Sequence, residues 1–161
     1  MIQKRTLLAT LLLTVMWSQS AIDQPKSVAE VVLAEDLNSL RKSLSEAGYE
    51  VRIQKPPMEG AYGLVNIKKK TIWIAPIANQ MGIFRTTFIH ESVHAAQACK
   101  TGEFEPIGWN LEVDEAVRAS IESILYRQYP SNKFDIEREA FLMQGQPDAI
   151  TRIQKVLKEN C

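Results

Sequence analysis

The sequence predicts an α+β fold, a mostly helical single domain with a small β-hairpin or sheet packed just before a helix that carries an H-E-x-x-H motif. Three observations predict it. Apolar residues recur at helical spacing in several stretches. Two short β-rich runs flank Lys68-Lys69-Lys70 and read as a hairpin. No internal repeat or linker interrupts a chain of 161 residues, a length suited to one core.

Taken in order, residues 1–20 read as a signal peptide. Lys4 and Arg5 precede an apolar run from Thr6 to Trp17, and Ser18-Gln19-Ser20 supplies small residues for cleavage. The apolar run is short for a bilayer span, so contact with a membrane is expected only through this segment during export. The mature domain is then 21–161, exported to the periplasm or the medium. Ser27 to Ala47 reads as an amphipathic helix, with Ser27 as N-cap, Glu30 closing a capping box and Gly48 as the glycine past its end. Tyr49 to Ile53 alternates like a short strand and stops before Pro56-Pro57. The hairpin pairs Tyr62–Ile67 with Thr71–Ala75. A long helix from about Asn79 to Lys100 follows, ended by Gly102. Glu103 to Asn110 is a loop; Leu111–Gln128 and Asp135–Gln144 are helices, and a last helix follows Pro147.

Composition excludes some function classes. Lys plus Arg equals Asp plus Glu at 19 each, so no global field attracts nucleic acid or an anionic surface. The three consecutive lysines read as a solvated turn. Export also bears on the two cysteines, Cys99 and Cys161, whose single possible pairing is a disulfide tying the C-terminus to the end of the long helix.

The chemistry is carried by His90-Glu91-Ser92-Val93-His94. Residues four apart stack on one helix face, so the two imidazoles converge while Glu91 borders the same cleft. That arrangement suits zinc (Zn2+) held by two histidines, with a carboxylate beside the attacking water. His90 and His94 are the only histidines, so a third ligand must be a carboxylate or, less suitably, a thiolate. Helical phase ranks the carboxylates. With Ile136, Ala140 and Met143 facing inward, Glu139 falls about 60° from the centre of that face and Glu137 about 100°. Asp114 is the rival on the preceding helix, and Glu115 points to solvent. Gln97, Asp114 or Glu115 could accept a hydrogen bond from a ligating histidine; Gln97 could equally fill space.

These blocks resemble a known family. His90-Glu91-Ser92-Val93-His94, followed downstream by Glu137-Arg138-Glu139-Ala140-Phe141, resembles the zincin metallopeptidases of the glutamate-liganded, gluzincin-like kind. In those proteins a glutamate followed by alanine on a later helix completes the site. HESVHAAQACKTG and EREAFLMQGQPDA also resemble small secreted proteins of cyanobacteria. The zincin resemblance covers about residues 62–144 and implies His90, His94 and Glu139 as metal ligands and Glu91 as general base. It implies a peptide or protein substrate held by edge pairing on the hairpin, and no nucleic acid. The chain lacks the histidine that stabilises the oxyanion in thermolysin. Tyr126, Tyr129, Tyr62 or Arg138 would have to serve instead. Two other readings compete: an exported, zincin-derived binding protein with a structural or vestigial metal site, and an accidental motif in a helical core.

Overall fold

The computed structural model describes residues 33–161. The expected signal segment, and the expected start of the first helix at Ser27 and Glu30, lie outside them. The first described helix, α1 (Glu35–Glu46), buries Leu37, Leu40 and Leu44 as one stripe. Leu33 and Ala34, expected inside it, precede it in non-helical conformation, with Ala34 as N-cap. The helix ends where expected, and Gly48 takes φ +86°, a conformation glycine adopts without strain.

Three short strands follow: β1 (Glu50–Ile53), β2 (Gly63–Asn66) and β3 (Thr71–Ile74). The predicted hairpin is the antiparallel pair β2–β3, and β1 adds to the other side of β3 in parallel, giving the order β1-β3-β2. The lysine turn is held by the Asn66 side chain, which accepts from the Lys69 amide at 2.9 Å. β3 is buried along its whole length, as befits the central strand.

The expected long helix is broken in two. A single turn, α2 (Ile77–Gln80), is separated from α3 (Phe84–Gln97) by Met81-Gly82-Ile83, where Gly82 takes φ +71°. α3 packs against β2 and β3 on one side and against two later helices on the others. Every residue from Phe88 to Gln97 is buried in consequence, so this helix has no solvent face for periodicity to reveal.

A loop leads to α4 (Glu115–Gln128), which starts four residues later than expected because Asp114 caps it, accepting from the Ala116 amide at 2.8 Å. α4 buries only Ile121 and Leu125. Val117 is exposed, because this helix lies mainly against one neighbour. That neighbour is α5 (Phe134–Gln144), entered through a short 3₁₀ turn at Ser131–Lys133. α6 (Ala149–Asn160) closes the fold, lying on α1 and α3. The whole is one α+β domain, mostly helical with a three-stranded sheet.

Cys99 and Cys161 form the expected disulfide across a sequence separation of 62. Closing a loop of that length restricts the unfolded chain and stabilises the fold by about 4 kcal/mol in the chain-entropy model. Cys161→Ser is therefore expected to lower the unfolding free energy by up to about 4 kcal/mol. Urea titration of variant against wild type at matched m-value checks this, and equal midpoints would show that the bridge carries no stability. The bridge is consistent with an exported protein. Among the described residues no helix is long and apolar enough to cross a membrane.

Candidate metal centre

α3 places both motif histidines on the face opposed to α5. His90 and His94 are buried, and their Nε2 atoms stand 3.2 Å apart. The third group is supplied by α5, and it is Glu137. Its Oε2 lies 3.3 Å from Nε2 of each histidine. These three residues are the one set among the described residues whose ligand atoms gather closely enough to hold a metal ion.

This corrects the expectation for Glu139. Its carboxylate is fully engaged elsewhere. Oε2 accepts from Gln97 Nε2 at 2.9 Å and the Ile107 amide at 2.8 Å, while Oε1 accepts from the amides of Gly108 at 2.7 Å and Trp109 at 3.1 Å. Four donors occupy the four acceptor positions of a carboxylate, leaving no lone pair for a metal. The rival Asp114 is exposed and spent on capping α4. The phase estimate failed because α5 is buried on two flanks: Glu137, Glu139, Ala140, Leu142 and Met143 are all buried, so no single apolar centre exists. A different signal was present. Glu137, Phe141 and Gln144 fall at i, i+4 and i+7 on one stripe, and all three meet the histidines: Phe141 stacks edge-on to His90 at 4.7 Å, and Gln144 Oε1 is 3.1 Å from His90 Nδ1.

The tautomers follow from the partners. His90 Nδ1 faces a glutamine carbonyl oxygen, and His94 Nδ1 faces Gln97 Oε1 at 2.7 Å. A carbonyl oxygen only accepts, so each Nδ1 carries the hydrogen and each Nε2 presents a lone pair inward. Two imidazole lone pairs and a carboxylate oxygen thus converge, and Glu137 Oε2 is buried without a hydrogen-bond partner of its own. Such a constellation is repulsive until a cation or proton enters it. Tetrahedral zinc with bonds of about 2.0–2.1 Å sets its ligand atoms about 3.3 Å apart, which matches the three separations here. The residues fit a metal.

The charges respond to this crowding. Burial opposes ionisation of Glu137, but the two imidazoles outweigh it and hold its pKa down to about 2. Burial would lower the His94 pKa, yet the adjacent carboxylates of Glu137 and Glu91, together with Gln97, raise it. Glu91 is pushed up by burial, partly offset by His90 and His94. The Glu91 carboxylate lies against β2 at Gly63. A methyl group at residue 63 would fall 2.5 Å from Glu91 Oε1 and 2.8 Å from Thr87 Cγ2. The absence of a side chain at residue 63 gives the carboxylate its place, a role not legible in the sequence. Gly63→Ala is expected to displace Glu91 while leaving the three metal-facing residues in place. Metal uptake should survive in this variant and any hydrolytic activity should fall; a variant as active as wild type would show that the contact relaxes freely.

A family model described as a domain of unknown function (DUF8637) matches residues 31–161. The chain belongs to this family. No curated protein and no solved structure matched the chain. The DUF8637 match takes in every residue of the centre: Gly63 on the sheet, His90, Glu91, His94 and Gln97 on α3, and Glu137, Glu139 and Gln144 on α5.

The remaining polar candidates separate by position. Arg138 is paired with Glu122 at 2.6 Å and with Asp135. Tyr126 is 74% exposed and Tyr62 43%. Tyr129 is half-buried beside Phe141, and burial together with the charges of Glu137 and Glu91 pushes its pKa up to about 12. On the other side of the centre, Phe104 meets the His94 ring edge-on at 5.6 Å.

Proposed function

We propose that this protein is an exported, zinc-dependent metallopeptidase, periplasmic or extracellular, that hydrolyses peptide bonds with His90, His94 and Glu137 as metal ligands. The observation that carries the reading is the convergence of three lone-pair atoms 3.2–3.3 Å apart with Glu91 next in sequence to the first of them. Bound zinc would supply a Lewis acid and a water made acidic enough to attack at neutral pH. Glu91 takes the proton of the attacking water and passes it to the leaving amine. Glu91 is buried directly beside the two histidines, where one carboxylate can both accept the proton and return it. β2 is one of the two edge strands of the sheet, its outer edge unpaired among the described residues, and a peptide paired there would lie beside Glu91 through Gly63.

Of the four candidate oxyanion donors, Tyr129 is half-buried and packs edge-on against Phe141, the ring that stacks on His90. Its phenol stays protonated far above neutral pH and so remains a donor. Tyr129→Phe is expected to lose about 10²-fold in kcat with zinc retained. Steady-state kinetics with a cleaved peptide, alongside metal analysis, checks this; an unchanged kcat would remove Tyr129 from the chemistry.

A second reading, a structural or vestigial metal site, is favoured by one observation: His90, Glu91 and His94 are only 8%, 8% and 7% exposed. One experiment separates the two. The purified protein is loaded with zinc, freed of excess, and incubated with a randomised peptide mixture and, separately, a hydroxamate probe. Cleavage that a chelator abolishes, with hydroxamate binding, supports the peptidase. One zinc per chain with neither cleavage nor hydroxamate binding supports the structural site.

A further inference from the structure

Glu139 is buried and saturated with hydrogen bonds, yet a carboxylate is not needed merely to fill space at that position. Its partners indicate what it does. Gln97 lies between it and the centre: the Gln97 amide nitrogen donates to Glu139 Oε2 at 2.9 Å and to the Ile136 carbonyl at 3.0 Å. With two acceptors on one side, the amide is held with its Oε1 pointing the other way, where it meets His94 Nδ1 at 2.7 Å. A glutamine amide has two orientations of nearly equal shape, and its hydrogen bonds alone choose between them.

We propose that Glu139 is a positioning residue for the metal centre: acting through Gln97, it fixes the His94 hydrogen on Nδ1 so that Nε2 presents a lone pair to the metal. The inference rests on the reading of His90, His94 and Glu137 as metal ligands for its purpose, though its geometry is independent of any metal. The same carboxylate gathers the amides of Ile107, Gly108 and Trp109. The loop before α4 and the His94 ligand are therefore anchored to one side chain on α5. A ligating histidine oriented by a partner on its second nitrogen binds metal more tightly, and loss of such a partner costs about 10–100-fold in affinity.

The test combines two readouts on the full chain. The first is the tautomer of His94, read by long-range nitrogen–proton NMR on metal-free protein in a pH series carried up until the spectra themselves show a neutral ring. Wild type should carry the hydrogen on Nδ1. Gln97→Met, which keeps the shape but not the bonds, should give a mixture. Glu139→Gln should also give a mixture, because its amide nitrogen competes for the same face of Gln97. The second readout is zinc affinity in a double-mutant cycle. Gln97→Met should cost about 10–100-fold and Glu139→Gln less, while the double variant should lose no more than Gln97→Met alone. A single Nδ1–H tautomer in Glu139→Gln, or additive losses in the double variant, would overturn the proposal. Should Gln97→Met fail to fold, the tautomer in Glu139→Gln decides alone. Should wild type take up no zinc, the metal reading fails, and the tautomers still decide whether Glu139 acts on His94.

Discussion

Glu137→Ala is expected to abolish tight zinc binding, whereas Glu139→Ala is expected to keep one zinc per chain at saturating metal. The two residues are separated by one position on the same helix and are equally buried, so burial and residue type cannot explain a difference between them. Only the direction of the carboxylate can. Glu137 directs Oε2 at both imidazoles at 3.3 Å, and Glu139 spends both oxygens on Gln97 and the 107–109 amides. Loss of a direct ligand should exceed the roughly 10–100-fold cost of disturbing an outer partner. The measurement is metal content together with thermal unfolding with and without chelator. A ligand that binds only the folded state adds about 2.7 kcal/mol at a hundredfold excess over its Kd, so a chelator-sensitive rise in Tm should appear in wild type and Glu139→Ala and vanish in Glu137→Ala. The opposite pattern would restore Glu139 as the ligand and show that the loop rearranges when metal enters.

Glu91→Gln is expected to lower kcat by about 10²–10⁴-fold, the span of a general acid–base contribution, with zinc uptake unchanged. The substitution is nearly isosteric, and that matters where Gly63 leaves no spare room. It removes the carboxylate proposed to move a proton and leaves in place the three residues whose ligand atoms converge. Retained zinc with lost hydrolysis would assign Glu91 to chemistry. Retained zinc with undiminished hydrolysis would mean that another base acts, and lost zinc would make Glu91 part of the metal's own surroundings.

Much of the fold could be read along the chain. The β2–β3 hairpin was legible from its β-rich runs and lysine turn, and the C-terminal helices from their turn residues. The break between α2 and α3 was not, because a lone glycine among helix-compatible residues does not by itself mark an end. Nor was the late start of α4: Asp114 could be a cap or a ligand by residue type, and only its bond to the Ala116 amide decides.

The metal site divides along the same line. His90, Glu91 and His94 lie within one turn and a half of helix, so local geometry alone dictates that the imidazoles share a face. The pairing of Cys99 with Cys161 needed only the count of two and an oxidising compartment. The proposed third ligand, Glu137, lies 43 residues beyond His94, across a contact between two helices that are both buried on more than one side. Glu137 and Glu139 lie about 160° apart around α5, on opposite flanks of the inward face, and sequence periodicity carries no record of the rotation of α5 against α3. That rotation is set by side chains distant in sequence: Phe141 and Gln144 against His90, and the 107–109 amides drawing Glu139 to the other flank. The sequence by itself determined that two histidines would share one helix face and leave a third position to fill; tertiary packing decided that the side chain brought to them is Glu137, and turned Glu139 into the anchor of a loop and of Gln97.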